Sequence, residues 1–162
     1  MSRIIIVDAE DAIIGHKERG TLNRDDIYRV SALWITNSKG ESLLAQRSFS
    51  KKHSPGMWGP AVAGTNDEGE SYDANIVKEA EEELGISDVP FIRRGKMRHR
   101  GEHEYFLQWY SAVIDEPEWH FIIQEDEVER IKWFSPEELK IAIVGHPEDF
   151  ISGMEMYIER FV

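Results

Sequence analysis

One helix, its two ends written into the sequence and strand-like runs on either side of it, restricts the fold more than any other feature. Ser71 is suited to accept a hydrogen bond from the first free amides, and Asp73 places an acid where the helix dipole favours one. Gly85 follows the last helical position, where a left-handed residue closes the final turn. Val77, Ala80 and Leu84 recur at helical spacing and are expected to hold this helix, residues 71–84, to a sheet. Before it, residues 4–7 and 12–14 read as a hairpin around Asp8-Ala9-Glu10-Asp11, and residues 15–26 as irregular. Residues 28–36 and 41–47 are strands joined by a turn at Asn37-Ser38-Lys39-Gly40, residues 48–59 are a loop, and residues 61–64 are a short strand leaving it. Residues 91–98, 104–114 and 128–134 are the strands that follow the helix.

Ser135-Pro136-Glu137-Glu138 begins a second helix, with a capping serine, proline at the first helical position and glutamate three after the cap. Residues 150–161 place Phe150, Ile151, Met154, Tyr157, Ile158 and Phe161 at helical spacing, the pattern of a core-facing stripe. Strands, helix, strands, helices is the order of a mixed sheet covered on both faces, an α/β (α+β) fold. No repeat or linker divides the chain, so residues 1–162 are expected to form one domain, with an N-terminal hairpin and connecting segment (1–27) ahead of the core (28–162).

Composition narrows the function. The chain has 31 acids against 19 lysines and arginines, a formal charge of −12, which disfavours nucleic-acid polymers and anionic membranes as partners. No apolar run is long enough to span a bilayer, and the N-terminal one is too short for a signal peptide, so a cytoplasmic location is the default. The absence of cysteine excludes disulfides, thiolate metal ligands and a thiol nucleophile.

The informative acids are organised. Glu79, Glu82 and Glu83 stand at i, i+3 and i+4, within roughly 100° of one helix face. Like charges at this spacing repel by a few tenths of a kcal/mol per pair, a cost that a divalent cation collecting their oxygens would offset. Glu70 lies just before the helix, within reach of the same face.

From Gly64 to Ile86 the sequence reads GTNDEGESYDANIVKEAEEELGI, which resembles the Nudix box, G-x5-E-x7-R-E-U-x-E-E-x-G-U with U aliphatic. Every fixed position is matched except that Lys78 replaces arginine, and Ala80 is a small aliphatic. The resemblance implies a Nudix-type α/β/α sandwich and an enzyme that cleaves a diphosphate linkage with Mg²⁺, Mn²⁺ being an alternative. It further implies Glu79, Glu82 and Glu83 as metal ligands, Glu70 as an auxiliary ligand, and a general base either within the box or on a later loop at Glu127. Gly64 is expected to permit a sharp turn beside the site. Lys78 keeps the positive charge but not the two-pronged geometry of arginine, so a less rigid glutamate cluster is expected.

Outside the box the chain is similar to the branch that includes isopentenyl-diphosphate isomerase, through Gln46-Arg47-Ser48, Pro55-Gly56-Met57-Trp58, Glu102-His103-Glu104 and Gln124-Glu125-Asp126-Glu127-Val128. In that isomerase a cysteine would occupy the position of Ala63 and a metal-binding histidine that of Thr65; both are missing, which disfavours isomerisation. Arg47, Lys51 and Lys52 are read as the basic concentration that steers phosphates, Trp58 as the tryptophan that touches ligand, and Glu102 and Glu104 as acids near the substrate. His53, His99, His103 and His120 show no ligand spacing. The expected partner is a small-molecule diphosphate such as a nucleoside diphosphate derivative, bound by a monomer or homodimer. A non-catalytic diphosphate-binding module is the alternative from another class.

Overall fold

The computed structural model describes residues 2–115 and 120–162. In chain order the strands are β1 (Arg3–Val7), β2 (Ile13–Glu18), β3 (Ile27–Thr36), β4 (Ser42–Arg47), β5 (Trp58–Pro60) and β6 (Val62–Thr65). Helix α1 (Tyr72–Leu84) follows, then β7 (Ile92–Arg100), β8 (Glu104–Val113), β9 (Val128–Phe134), α2 (Pro136–Gly145) and α3 (Met154–Phe161).

Strand β3 organises the sheet. It runs parallel to β8 along its whole length, from Ile27 against Glu104 to Thr36 against Val113, and antiparallel to β1, β4 and β6. Strand β2 extends the sheet beyond β1, β7 beyond β8, and β5 and β9 both pair with β4. The alternation of side chains along β3 feeds two cores. Leu33 and Ile35 pack with Tyr72, Ile76, Ala80 and Leu84 of α1, whereas Ala32 and Trp34 pack with Leu139 and Ile143 of α2 and with Met154, Tyr157 and Ile158 of α3. The sheet is therefore a mixed one between helical layers, the α/β/α sandwich that the sequence pattern implies.

Helix α1 ends where its sequence dictates. The Ser71 hydroxyl accepts from the Ala74 amide at 3.0 Å, and Gly85 adopts φ 68° while its amide returns to the Glu81 carbonyl at 2.9 Å. Ser135 caps α2 in the same way, accepting from the Glu138 amide at 3.1 Å. The buried stripe of α1 contains Ala80 and Leu84 as expected, but Ile76, not Val77, lies beneath the helix, and Val77 is 54% exposed. Burying Ile76 and Leu84 contributes about 2 kcal/mol each; a larger residue at Ala80, which is fully enclosed, would force the helix off the sheet.

Two further expectations change. Residues 15–18 are not irregular but complete β2, pairing Gly15 through Glu18 with Ile6 through Arg3; their polar composition suits an edge strand facing solvent. Phe150 and Ile151 precede the last helix rather than belong to it, although Phe150 is still buried in the second core.

Candidate active site

A cleft of about 760 Å³ opens where β6, α1, the β4–β5 loop and the segment before β9 meet. Glu79, Glu82, Glu83, Lys78, Gly64, Glu127, Arg47, Lys51 and Lys52 all line it. Residues far apart in sequence are thus brought to one surface.

The carboxylates are held unequally. Glu83 is buried, and its carboxylate accepts a hydrogen bond from the Ala63 amide of β6. Among the described residues its Oε2 has no hydrogen-bond partner. Burial pushes its pKa well above the usual carboxylate range, and the neighbouring charges of Glu79 and Glu127 push it further. Glu79 is pushed up to about 7, first by burial and then by Glu82 and Glu70, against the pull of Lys78. Glu82 is exposed on the cleft rim.

Gly64 acts differently from the expected sharp turn. It continues β6, and a Cβ there would collide with Cγ and Cδ of Glu79. The glycine leaves the space through which the Glu79 side chain crosses the strand.

Lys78 is well anchored. Its Nζ lies 2.9 Å from Glu70, 3.1 Å from Asp67 and 3.7 Å from Glu79. Burial lowers its pKa, but the hydrogen bonds to Glu70 and Asp67 outweigh that and raise it. Glu70 does not line the cleft. Its Oε1 accepts from the Asp67 amide at 2.7 Å and from Lys78 at 3.1 Å, so it braces the loop before α1.

On the opposite wall Lys51 pairs with Glu127 at 2.5 Å, and the Ser48 amide donates to the Glu127 carbonyl at 3.0 Å, tying the two loops together. The Gln124 amide donates to the Glu83 carbonyl at 3.0 Å, fastening that segment to the end of α1. Arg47 donates to the His53 carbonyl at 3.0 Å.

Three expected contributors lie elsewhere. Trp58 begins β5 rather than standing on the loop, and is buried edge-on against Phe134 with Arg130 over its ring; its size and apolar surface are used in the second core. Glu104 at the start of β8 is engaged by Arg98 at 2.7 Å and Arg100 at 3.4 Å, and Glu102 is exposed on the β7–β8 turn. Neither glutamate lines the cleft. Conversely Arg19 and Asp67 line it without having been singled out, and Gln124, quoted only within the isomerase-like run, lines it as well. Asp67 falls at a variable position inside the box, and Arg19 lies in a hairpin that carries no motif.

Among the described residues no three acidic or histidine side chains are drawn together into a ready metal cage. The donor set nevertheless fits a hard divalent cation. An orphaned, buried carboxylate oxygen on Glu83 beside a second desolvated carboxylate on Glu79 is a costly arrangement that such an ion would relieve.

The NUDIX domain profile matches residues 27–153, and the chain belongs to the Nudix hydrolase family. An uncharacterized Nudix hydrolase from Yersinia pestis is 28% identical over 159 residues, covering 96% of this chain and 85% of that protein. An isopentenyl-diphosphate Delta-isomerase from Serratia proteamaculans is 36% identical over 85 residues, covering 52% of this chain and 48% of its own length. A crystal structure from Deinococcus radiodurans superposes with a TM-score of 0.84 at 22% identity, covering 98% of both chains, and supports the fold. No described helix is long and apolar enough to cross a membrane.

Proposed function

We propose that the chain hydrolyses the phosphoanhydride of a small organic diphosphate, X–O–P–O–P, with Mg²⁺ or Mn²⁺ held by Glu79, Glu82 and Glu83. The observation that carries this reading is Glu83: a buried carboxylate with one oxygen left bare, opening on a cleft that also bears Arg47, Lys51 and Lys52. A structural acid at that depth would be matched by donors. When bound, the divalent ion supplies Lewis acidity at the diphosphate oxygens. Arg47, Lys51 and Lys52 bind and orient the phosphates, and the Ala63 amide fixes Glu83. Water attacks one phosphorus, the bridging P–O bond breaks, and the water proton passes to a cleft carboxylate, with Glu127 and the glutamates of α1 the available acceptors. Glu70 serves as a brace rather than a ligand, since its carboxylate is engaged by Lys78 and the Asp67 amide.

Isomerisation has less support, because Ala63 and Thr65 on the cleft wall offer neither a thiol nor an imidazole. The test is a phosphate-release panel of nucleoside, sugar and prenyl diphosphates with and without Mg²⁺. Metal-dependent release, reduced by on the order of 100-fold in Glu82→Gln, is expected. Double-bond migration in a prenyl diphosphate would overturn the proposal in favour of an isomerase, and binding without turnover in favour of a silent module.

A further inference from the structure

The family match begins at residue 27, so the N-terminal hairpin lies outside it. The hairpin is nevertheless fastened to the loop between β6 and α1. The Ile5 amide donates to the Asn66 carbonyl at 3.2 Å, the Glu68 amide donates to the Arg3 carbonyl at 2.8 Å, and Arg3 grips Glu68 through two hydrogen bonds of 2.9 and 2.6 Å. From the far end of β2, Arg19 reaches the cleft and binds Asp67 Oδ1 at 2.8 Å. The other oxygen of Asp67 lies 3.1 Å from Lys78 Nζ, and Lys78 in turn holds Glu70 at 2.9 Å and approaches Glu79 at 3.7 Å.

We propose that Arg19 is a positioning residue of the cleft, which through Asp67 and Lys78 fixes the Glu79 side chain in the place where it holds the divalent ion. The physical argument concerns the missing arginine of the box. A lysine is a single point of charge on a flexible stem and has no fixed fork with which to orient a carboxylate. Here its direction is set from outside by an Asp67 that Arg19 locks from the opposite side. Two cations sharing one carboxylate give Lys78 a defined seat, and Glu79 lies against that seat and over Gly64. The hairpin is thus part of the catalytic frame.

The inference rests on the reading of Glu79 as a metal ligand, and one experiment separates the two. Mn²⁺ binding to the full chain without substrate is measured by calorimetry for wild type, Arg19→Ala, Arg19→Lys and Asp67→Asn, alongside steady-state kinetics and thermal melts. Wild type is expected to bind Mn²⁺. Arg19→Ala and Asp67→Asn are expected to lose about tenfold in Mn²⁺ affinity and in kcat, with KM within about twofold of wild type. Arg19→Lys is expected to recover part of both, since the charge on Asp67 returns without the fork. Arg19 is 50% exposed, so folding should survive its truncation; if the melt of Arg19→Ala collapses, Arg19→Lys and Asp67→Asn decide. Unchanged Mn²⁺ affinity in the variants, with wild type binding normally, overturns the role of Arg19 alone. So does a change confined to KM, which would make Arg19 a direct substrate contact. Failure of wild type to bind Mn²⁺ overturns the metal-ligand reading and the inference with it.

Discussion

Asp11 and Glu83 are both 9% exposed, yet the molecule treats them in opposite ways. Asp11, in the turn between β1 and β2, receives Arg29 at 2.7 Å, Lys96 at 2.6 Å and the Tyr72 hydroxyl at 2.9 Å. Burial alone would raise its pKa, but these three donors outweigh burial and hold it below the usual range. Glu83 has one backbone donor, two acidic neighbours and a bare oxygen, and its pKa moves the other way. Equal depth with opposite electrostatics is what the proposed reading requires, with Asp11 holding the fold together and Glu83 free to meet a cation.

The comparison can be broken by exchanging each acid for its amide. Glu83→Gln should lower kcat by on the order of 100-fold or more. It should also raise the melting temperature of the metal-free protein by about 3 °C, as expected from removing roughly 1 kcal/mol of charge strain. A loss of activity accompanied by a fall in melting temperature would place Glu83 with Asp11 among the structural acids. Asp11→Asn should do the reverse. Leaving Arg29 and Lys96 unmatched should cost about 3 kcal/mol, seen as a lower urea midpoint, while kcat per folded molecule stays within about threefold.

A pH titration sharpens the contrast. Glu79 moves from an ordinary 4.5 to about 7 on folding, so between those values the folded chain holds a proton that the unfolded chain has lost. The contribution of Glu79 to the stability of the metal-free protein should therefore fall as pH rises from about 4.5 to about 7, by at most about 3 kcal/mol, and then level off. Denaturant midpoints of wild type against Glu79→Gln isolate this slope; the same slope in both proteins would assign it to other groups. The smallest effect is expected from Lys78→Arg. Because Asp67 and Glu70 already seat the lysine, turnover should stay within about threefold of wild type. A clear fall would show that the cluster depends on a lysine.

Local chemistry made the fold legible. The caps of α1 and α2 and the apolar runs of β3 and β8 are decided within a few residues, and the sequence shows them. The box likewise announced which side chains of α1 meet in the cleft. What sequence reading missed depends on partners far along the chain. Val77 and Ile76 are equally apolar, and only the docked helix decides which of them faces inward. Trp58 looked like a loop aromatic until β5 paired with β4 and carried it beneath Phe134. Glu102 and Glu104 follow the isomerase-like pattern, but Arg98 and Arg100 of β7 engage Glu104. That strand also shows that Arg47, Lys51 and Lys52 are not the only basic concentration: β7 adds Arg93, Arg94, Lys96, Arg98 and Arg100, several of them matched to Asp73, Asp11 and Glu104, and none of them lines the cleft as those three do. Arg19 joins the cleft only through the hairpin, which brings it to Asp67.

The parallel pairing of β3 with β8 bridges the whole stretch that contains β6 and α1, since Ile27 meets Glu104 with the box enclosed between them. Joining such distant parts of the chain is slow, because the intervening loop must be closed before any contact across it is gained. The acid-bearing helix has no completed platform to dock on until that loop closes. A nascent or partly refolded molecule therefore carries its glutamates unassembled, and competence for catalysis should arrive together with the last cooperative step of folding.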